Sequence, residues 1–169
     1  MKTLVFLVTS VFVLTNSLPA SAPELSTADR VAVVCAAQVL DAAQAAIRAS
    51  ETAYEVASES DNMGESERYL MVASGTLGAW IVVYSLSEGL RSSLKRLRDD
   101  MDEDIYDTVN QILREVSSIA RSMPPEDKSI RGINRANKAA ATKIKELGSK
   151  LNGLVDSDSG ISSNRSRSL

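Results

Sequence analysis

Residues Thr27 to Ser60 read TADRVAVVCAAQVLDAAQAAIRASETAYEVASES, and this stretch decides the fold class. Val33, Leu40, Ile47 and Tyr54 recur every seven residues, and Ala36, Ala43, Ser50 and Ala57 follow each of them by three. Steps of three and four return side chains to one face of an α-helix, so the pattern is a heptad seam with small residues in one row. Small side chains let a partner helix approach closely. Ser26 or Thr27 supplies an N-cap, Asp29 lies in the first turn, and Asp61-Asn62-Met63-Gly64 ends the segment. The reading is the core seam of a bundle, coiled-coil-like in spacing but not an extended coiled coil.

Working toward the C-terminus, a second helical segment is expected from about Glu65 to Arg98. Nineteen consecutive residues, Tyr69 to Ser87, carry no charge. Leu70, Leu77 and Tyr84 mark one face, while Met71, Val72, Val82, Val83 and Leu86 occupy the others, so the segment is apolar nearly all round. Such a helix has to be enclosed, and the expectation is that it is the most enclosed of the set. The alternative is a single membrane span through Tyr69 to Ser87, against which Ser74, Gly75, Thr76, Gly78, Ser85 and Ser87 dilute the hydropathy. Ser74 with Gly78, and Gly75 with Ala79, form two small-xxx-small pairs that suit close packing in lipid or against the alanine row of the first helix.

An apolar stripe then runs through Leu90, Leu94, Leu97, Met101, Ile105, Val109, Ile112, Val116, Ile119 and Met123 in steps of three or four. It crosses the acidic cluster Asp99 to Asp104, and a break near Asp100 to Asp102 is expected because those side chains cap a new helix. Pro124-Pro125 stops the third helix, and Pro125, Glu126 and Asp127 suit the first turn of a fourth. Ile130, Ile133, Ala140, Ile144, Leu147, Leu151 and Leu154 form its buried stripe. Asn137 interrupts that stripe and is expected to fix register against a partner helix. The fold expectation is all-α: a four-helix bundle of up-down connectivity with short connections.

Toward the N-terminus, Lys2, the apolar run Leu4 to Thr15 and the small, polar stretch Asn16 to Ala22 follow the order of a secretory signal peptide. Cleavage is expected between about Ser17 and Ala22, since Pro23 disfavours the site after Ala22. The organisation expected is a signal peptide at 1–22, one helical domain at 23–155 and a disordered tail at 156–169 rich in serine, glycine, asparagine and charge. Asn164-Arg165-Ser166 in that tail is an N-glycosylation acceptor sequence.

The chain has no histidine and one cysteine. Imidazole acid-base catalysis, Ser-His and Cys-His nucleophile pairs and histidine metal sites are therefore excluded, and no intrachain disulfide can form. Cys35 lies in an apolar helical run that favours burial, with an intermolecular bridge as the alternative. Asp100, Asp102 and Asp104 alternate as in a calcium loop, but Ile105 replaces the turn glycine and Gln111 the closing glutamate. A helix cap or partners for Lys95, Arg96 and Arg98 are the better reading. No cofactor or metal is expected, and an enzyme is not expected.

Thr27 to Asp61 holds two basic and six acidic residues, whereas Asp127 to Leu151 holds seven basic and two acidic. Side by side, these segments would attract. Lys128, Arg131, Arg135, Lys138 and Lys145 line one flank of the fourth helix and could instead face an anionic surface. The net charge of −3 and the absence of interleaved aromatics argue against nucleic acid. The functional expectation is a secreted, extracellular, non-enzymatic binding protein. Its partner would be an apolar ligand or lipid surface, or, as a secreted effector or signalling bundle, a protein receptor. It would be a monomer or a Cys35-linked dimer.

Overall fold

The chain is an all-α four-helix bundle, seen in a computed structural model that describes residues 25–127 and 129–165, with side chains described through residue 155. The expected signal peptide lies outside the described residues. Helix α1 spans Thr27–Glu59, α2 Glu65–Leu97, α3 Glu103–Arg121 and α4 Ile130–Arg165. A short 3-10 turn, Arg98–Asp100, separates α2 from α3. The bounds of α4 pass Asp156, where the tail is expected. The last residue packed against the core is Leu154, and the side chains from Asp156 onward, Asn164 included, are outside the described set.

Each boundary has a local cause. The Ser26 hydroxyl accepts from the Asp29 backbone N–H at 3.1 Å, and the Asp29 carboxylate accepts from the Ser26 N–H at 3.2 Å, which closes a reciprocal cap on α1. The Gly64 N–H donates to Glu67 Oε2 at 3.0 Å at the start of α2. Asp102 caps α3, its Oδ1 accepting from the backbone N–H groups of Asp104 at 2.9 Å and Ile105 at 3.3 Å. The break expected in the acidic cluster is therefore present, and a carboxylate of that cluster makes it. Arg98 lies over the Tyr106 ring at 5.2 Å.

The start of α4 differs from expectation. Residues 124–127 are not helical, and the helix begins at Ile130 with Ser129 as its cap, the hydroxyl accepting from the Gly132 N–H at 2.9 Å. A serine oxygen satisfies a free first-turn amide, which a proline-led turn does not.

The main core draws Ala36, Val39 and Ala43 from α1, Trp80, Val83 and Leu94 from α2, Val109, Ile112 and Val116 from α3, and Ala140, Ile144 and Leu147 from α4. A smaller cluster of Ala57, Val72 and Ile133 closes the other end. Two contacts between α2 and α3 run in descending order, Tyr84 with Arg121 and Glu88 with Ser117, so these two helices are antiparallel. Helix α2 packs chiefly on α1 and α3, and α4 chiefly on α1, while α2 and α4 also meet in the small cluster of Val72 and Ile133.

Asn137 is 1 % exposed and its Nδ2 donates to the Ile47 carbonyl of α1 at 3.1 Å, the register contact expected of a polar residue on the seam. The charge complementarity of α1 and α4 is not realised as ion pairs among the described residues. Lys143 and Lys150 reach Glu115 of α3 instead, at 3.1 and 3.9 Å. Burial opposes the charge on Glu115, but Lys143, Lys150 and Gln111 outweigh it and hold its carboxyl below the usual range.

Candidate functional site

Helix α2 is not the most enclosed helix. Leu70, Leu77, Ile81 and Val82 are 64, 43, 52 and 56 % exposed, and together with Val31 and Val56 of α1 they are the large apolar residues left open among the described residues. A helix buries the stripe that meets its neighbours. Helix α2 has α1, α3 and the start of α4 on one side, and among the described residues nothing covers the other, whatever its composition.

The open face has a regular construction. Leu70, Ser74, Leu77, Gly78, Ile81, Val82, Ser85 and Gly89 are all exposed and follow one another in helical steps along a single side of α2. The opposite side, Val72, Thr76, Trp80, Val83, Ser87 and Leu94, is buried. From Leu70 to Gly89 the face extends about 28 Å at the helical rise.

Its polar atoms are turned inward on the helix itself. Ser74 donates to the Met71 carbonyl at 3.1 Å and Ser85 to the Ile81 carbonyl at 2.9 Å. With those hydroxyl protons engaged and no ionised side chain between Arg68 and Glu88, the face offers water little beyond apolar surface. The two small-xxx-small pairs have separate duties. Gly75 faces α1, where a Cβ would meet the Ala53 Cβ at 3.3 Å, whereas a Cβ on Gly78 would meet nothing within 4 Å. One pair permits the close approach of α1 and α2, and the other lies open.

Charges bound the face at both ends. Glu67 is in line with it before Leu70, and Arg96 in line with it after Gly89, and both are exposed. Alongside, on the α3 side, Glu88 bonds Arg91 at 2.8 Å and Ser117 Oγ at 2.6 Å. The Ser117 hydroxyl is the main cause of a lowered Glu88 pKa, assisted by Arg91 and Arg121 and opposed by burial.

The residues expected to mark sites are dispersed. Arg131, Arg135, Lys138 and Lys145 are exposed on α4, away from the α2 face, while Lys128 is outside the described residues. Lys145 borders an open groove of about 490 Å³ between α1 and α4, with Gln44, Arg48 and Asn152 among its lining. Cys35 is half-buried beside a 60 Å³ apolar pocket lined by Leu90, Leu94, Val109 and Leu113, and burial raises its thiol pKa. A raised pKa suppresses the thiolate, which suits an inert packing cysteine. No group of three metal-ligating side chains occurs among the described residues.

Two helices, α1 and α2, are long and apolar enough to cross a membrane, with mean hydropathies of 1.4 and 1.5 over their most apolar windows. In the bundle each contributes one face to the core described above. Comparison of the chain with protein-family models, with curated proteins and with solved structures finds no match.

Proposed function

We propose that this chain is a secreted, non-enzymatic interaction protein that docks another protein through the open face of α2. The observation that carries the reading is the apolar stripe from Leu70 to Ser85, which carries no charge and is exposed on a helix whose other side is packed. Contiguous apolar surface of this kind marks interaction sites in soluble proteins. Secretion rests on the expected signal peptide, and the non-enzymatic assignment on the lack of histidine.

A lipid surface fits the arrangement less well. A membrane-docking helix is flanked by cations along its apolar face, whereas here Arg91 and Arg96 stand toward the C-terminal end of the face, Arg91 is paired with Glu88, and the longer basic row belongs to α4. The pocket beside Cys35, at 60 Å³, is also far below the several hundred cubic ångströms of a typical ligand site.

The reading is tested by placing a photo-cross-linking residue at Leu77 or Ile81, and as a control at Arg135, in the secreted protein within its own extracellular fluid. Protein adducts at the two α2 positions and none at Arg135 support it. Adducts at none of the three, or vesicle flotation that depends on Ile81, would overturn it.

A further inference from the structure

We infer that the occupant of the α2 face is a second copy of this chain, laid antiparallel with the two-fold axis crossing between Gly78 and Ile81. The inference rests on the docking reading above and names the partner. What points to it is that the face matches its own reverse. Turned end for end about that axis, Leu70 comes opposite Gly89, Ser74 opposite Ser85, Leu77 opposite Val82, and Gly78 opposite Ile81. Every exposed position of the stripe finds another exposed position of the stripe.

The sizes are complementary as well as the positions. Gly78 and Gly89 have open space where a Cβ would be, and each receives a large side chain, Ile81 or Leu70, from the partner copy. A glycine opposite a branched or long side chain is the arrangement that lets two helices interlock at short distance. Ser74 and Ser85 meet as small residues whose hydroxyl protons are already engaged by their own helix, so covering them strands no donor.

Charge selects the direction. Glu67 precedes the face and Arg96 follows it, each in line with the stripe and exposed. In the antiparallel arrangement Glu67 of one copy comes opposite Ser92 of the other, about 6 Å along the axis from Arg96 and within reach of its long side chain, at both ends, whereas a parallel pair would set Glu67 against Glu67 and Arg96 against Arg96. An isologous two-fold contact also closes, so the association stops at the dimer. A single helix pair lies at the small end of specific interfaces, which makes the dimer concentration-dependent.

Sedimentation velocity of the mature protein over a wide concentration range tests this. A monomer–dimer equilibrium is expected, abolished by Ile81→Lys and weakened about tenfold by Glu67→Arg or by Arg96→Glu alone, each setting like charges together at both ends of the dimer. Mixing the Glu67→Arg and Arg96→Glu variants is expected to restore association as a heterodimer, with circular dichroism confirming that each variant is folded. A protein that remains monomeric throughout, a dimer indifferent to Ile81→Lys, or a charge-variant mixture that fails to recover would each overturn the inference. If the protein is monomeric while the photo-cross-linker at Ile81 captures a different protein, the self-pairing falls and the docking reading stands. If neither self-association nor adducts occur, both fall.

Discussion

The carboxylate of Asp29 joins two parts of the chain 73 residues apart: one oxygen accepts from the Ser26 N–H and the other from the Asp102 N–H at 3.1 Å. The Ser26 hydroxyl adds a contact to the Asp100 carbonyl at 3.2 Å. One buried side chain, 4 % exposed, thus caps α1 and anchors the residue that caps α3. Asp29→Ala is expected to lower unfolding free energy by about 2 to 4 kcal/mol, because it removes two bonds to a charged acceptor and leaves two amides seeking partners. Asp29→Asn, which keeps one acceptor oxygen, loses about half as much. Urea unfolding followed by circular dichroism measures both. Asp29 is recognisable in the sequence as a first-turn acid. Its link to Asp102 has no local signature, since nothing about either residue's neighbours says that the other end of a two-helix excursion returns to it.

Helix α2 shows how position in the bundle, rather than composition, decides what a residue does. Gly75 and Gly78 are three residues apart, and both cost helix stability relative to alanine. Gly78→Ala, which meets nothing, is expected to raise the folding stability of the monomer by about 0.5 to 1 kcal/mol. Gly75→Ala gains less than this or loses stability, because its new methyl presses on the Ala53 Cβ at 3.3 Å. Thermal unfolding at low protein concentration separates the two. Helix boundaries were legible from caps and periodicity: Ser26, Asp102 and the heptad rows of α1 all act as their spacing implies. The start of α4 was not, because Ser129 and Pro125 are both good initiators and only tertiary placement chooses between them. Nor was the open side of α2 legible, since an all-apolar helix carries no polar residue to show which side faces out.

At the scale of the molecule, ionisation is simple because there is no histidine. Stability is expected to be nearly flat from about pH 5 to pH 8, where no side chain of ordinary pKa titrates in its place. Glu88 and Glu115 have lowered pKa values in the fold, so their contribution is complete above the ordinary carboxylate value near 4.5 and is lost as the pH falls through the lowered values. Lys143, raised chiefly by its bond to Glu115, contributes below its ordinary value of 10.5 and loses that contribution only as the pH rises beyond it. Melting temperature against pH should show a plateau with a fall in acid, and Glu115→Gln should make the acid limb shallower while leaving the plateau shape unchanged. The two ends of the bundle are also unequal. The Ser26–Asp29–Asp102 junction stitches the start of α1 to the start of α3 beside the large core, whereas the far end is held by the small group Ala57, Val72 and Ile133. Breathing of the native state should therefore begin at that far end, with amide protons near Ala57 and Val72 exchanging with solvent well before those near Val39 and Val109. The protein would behave less like a rigid rod than like a clasp hinged at its stitched end.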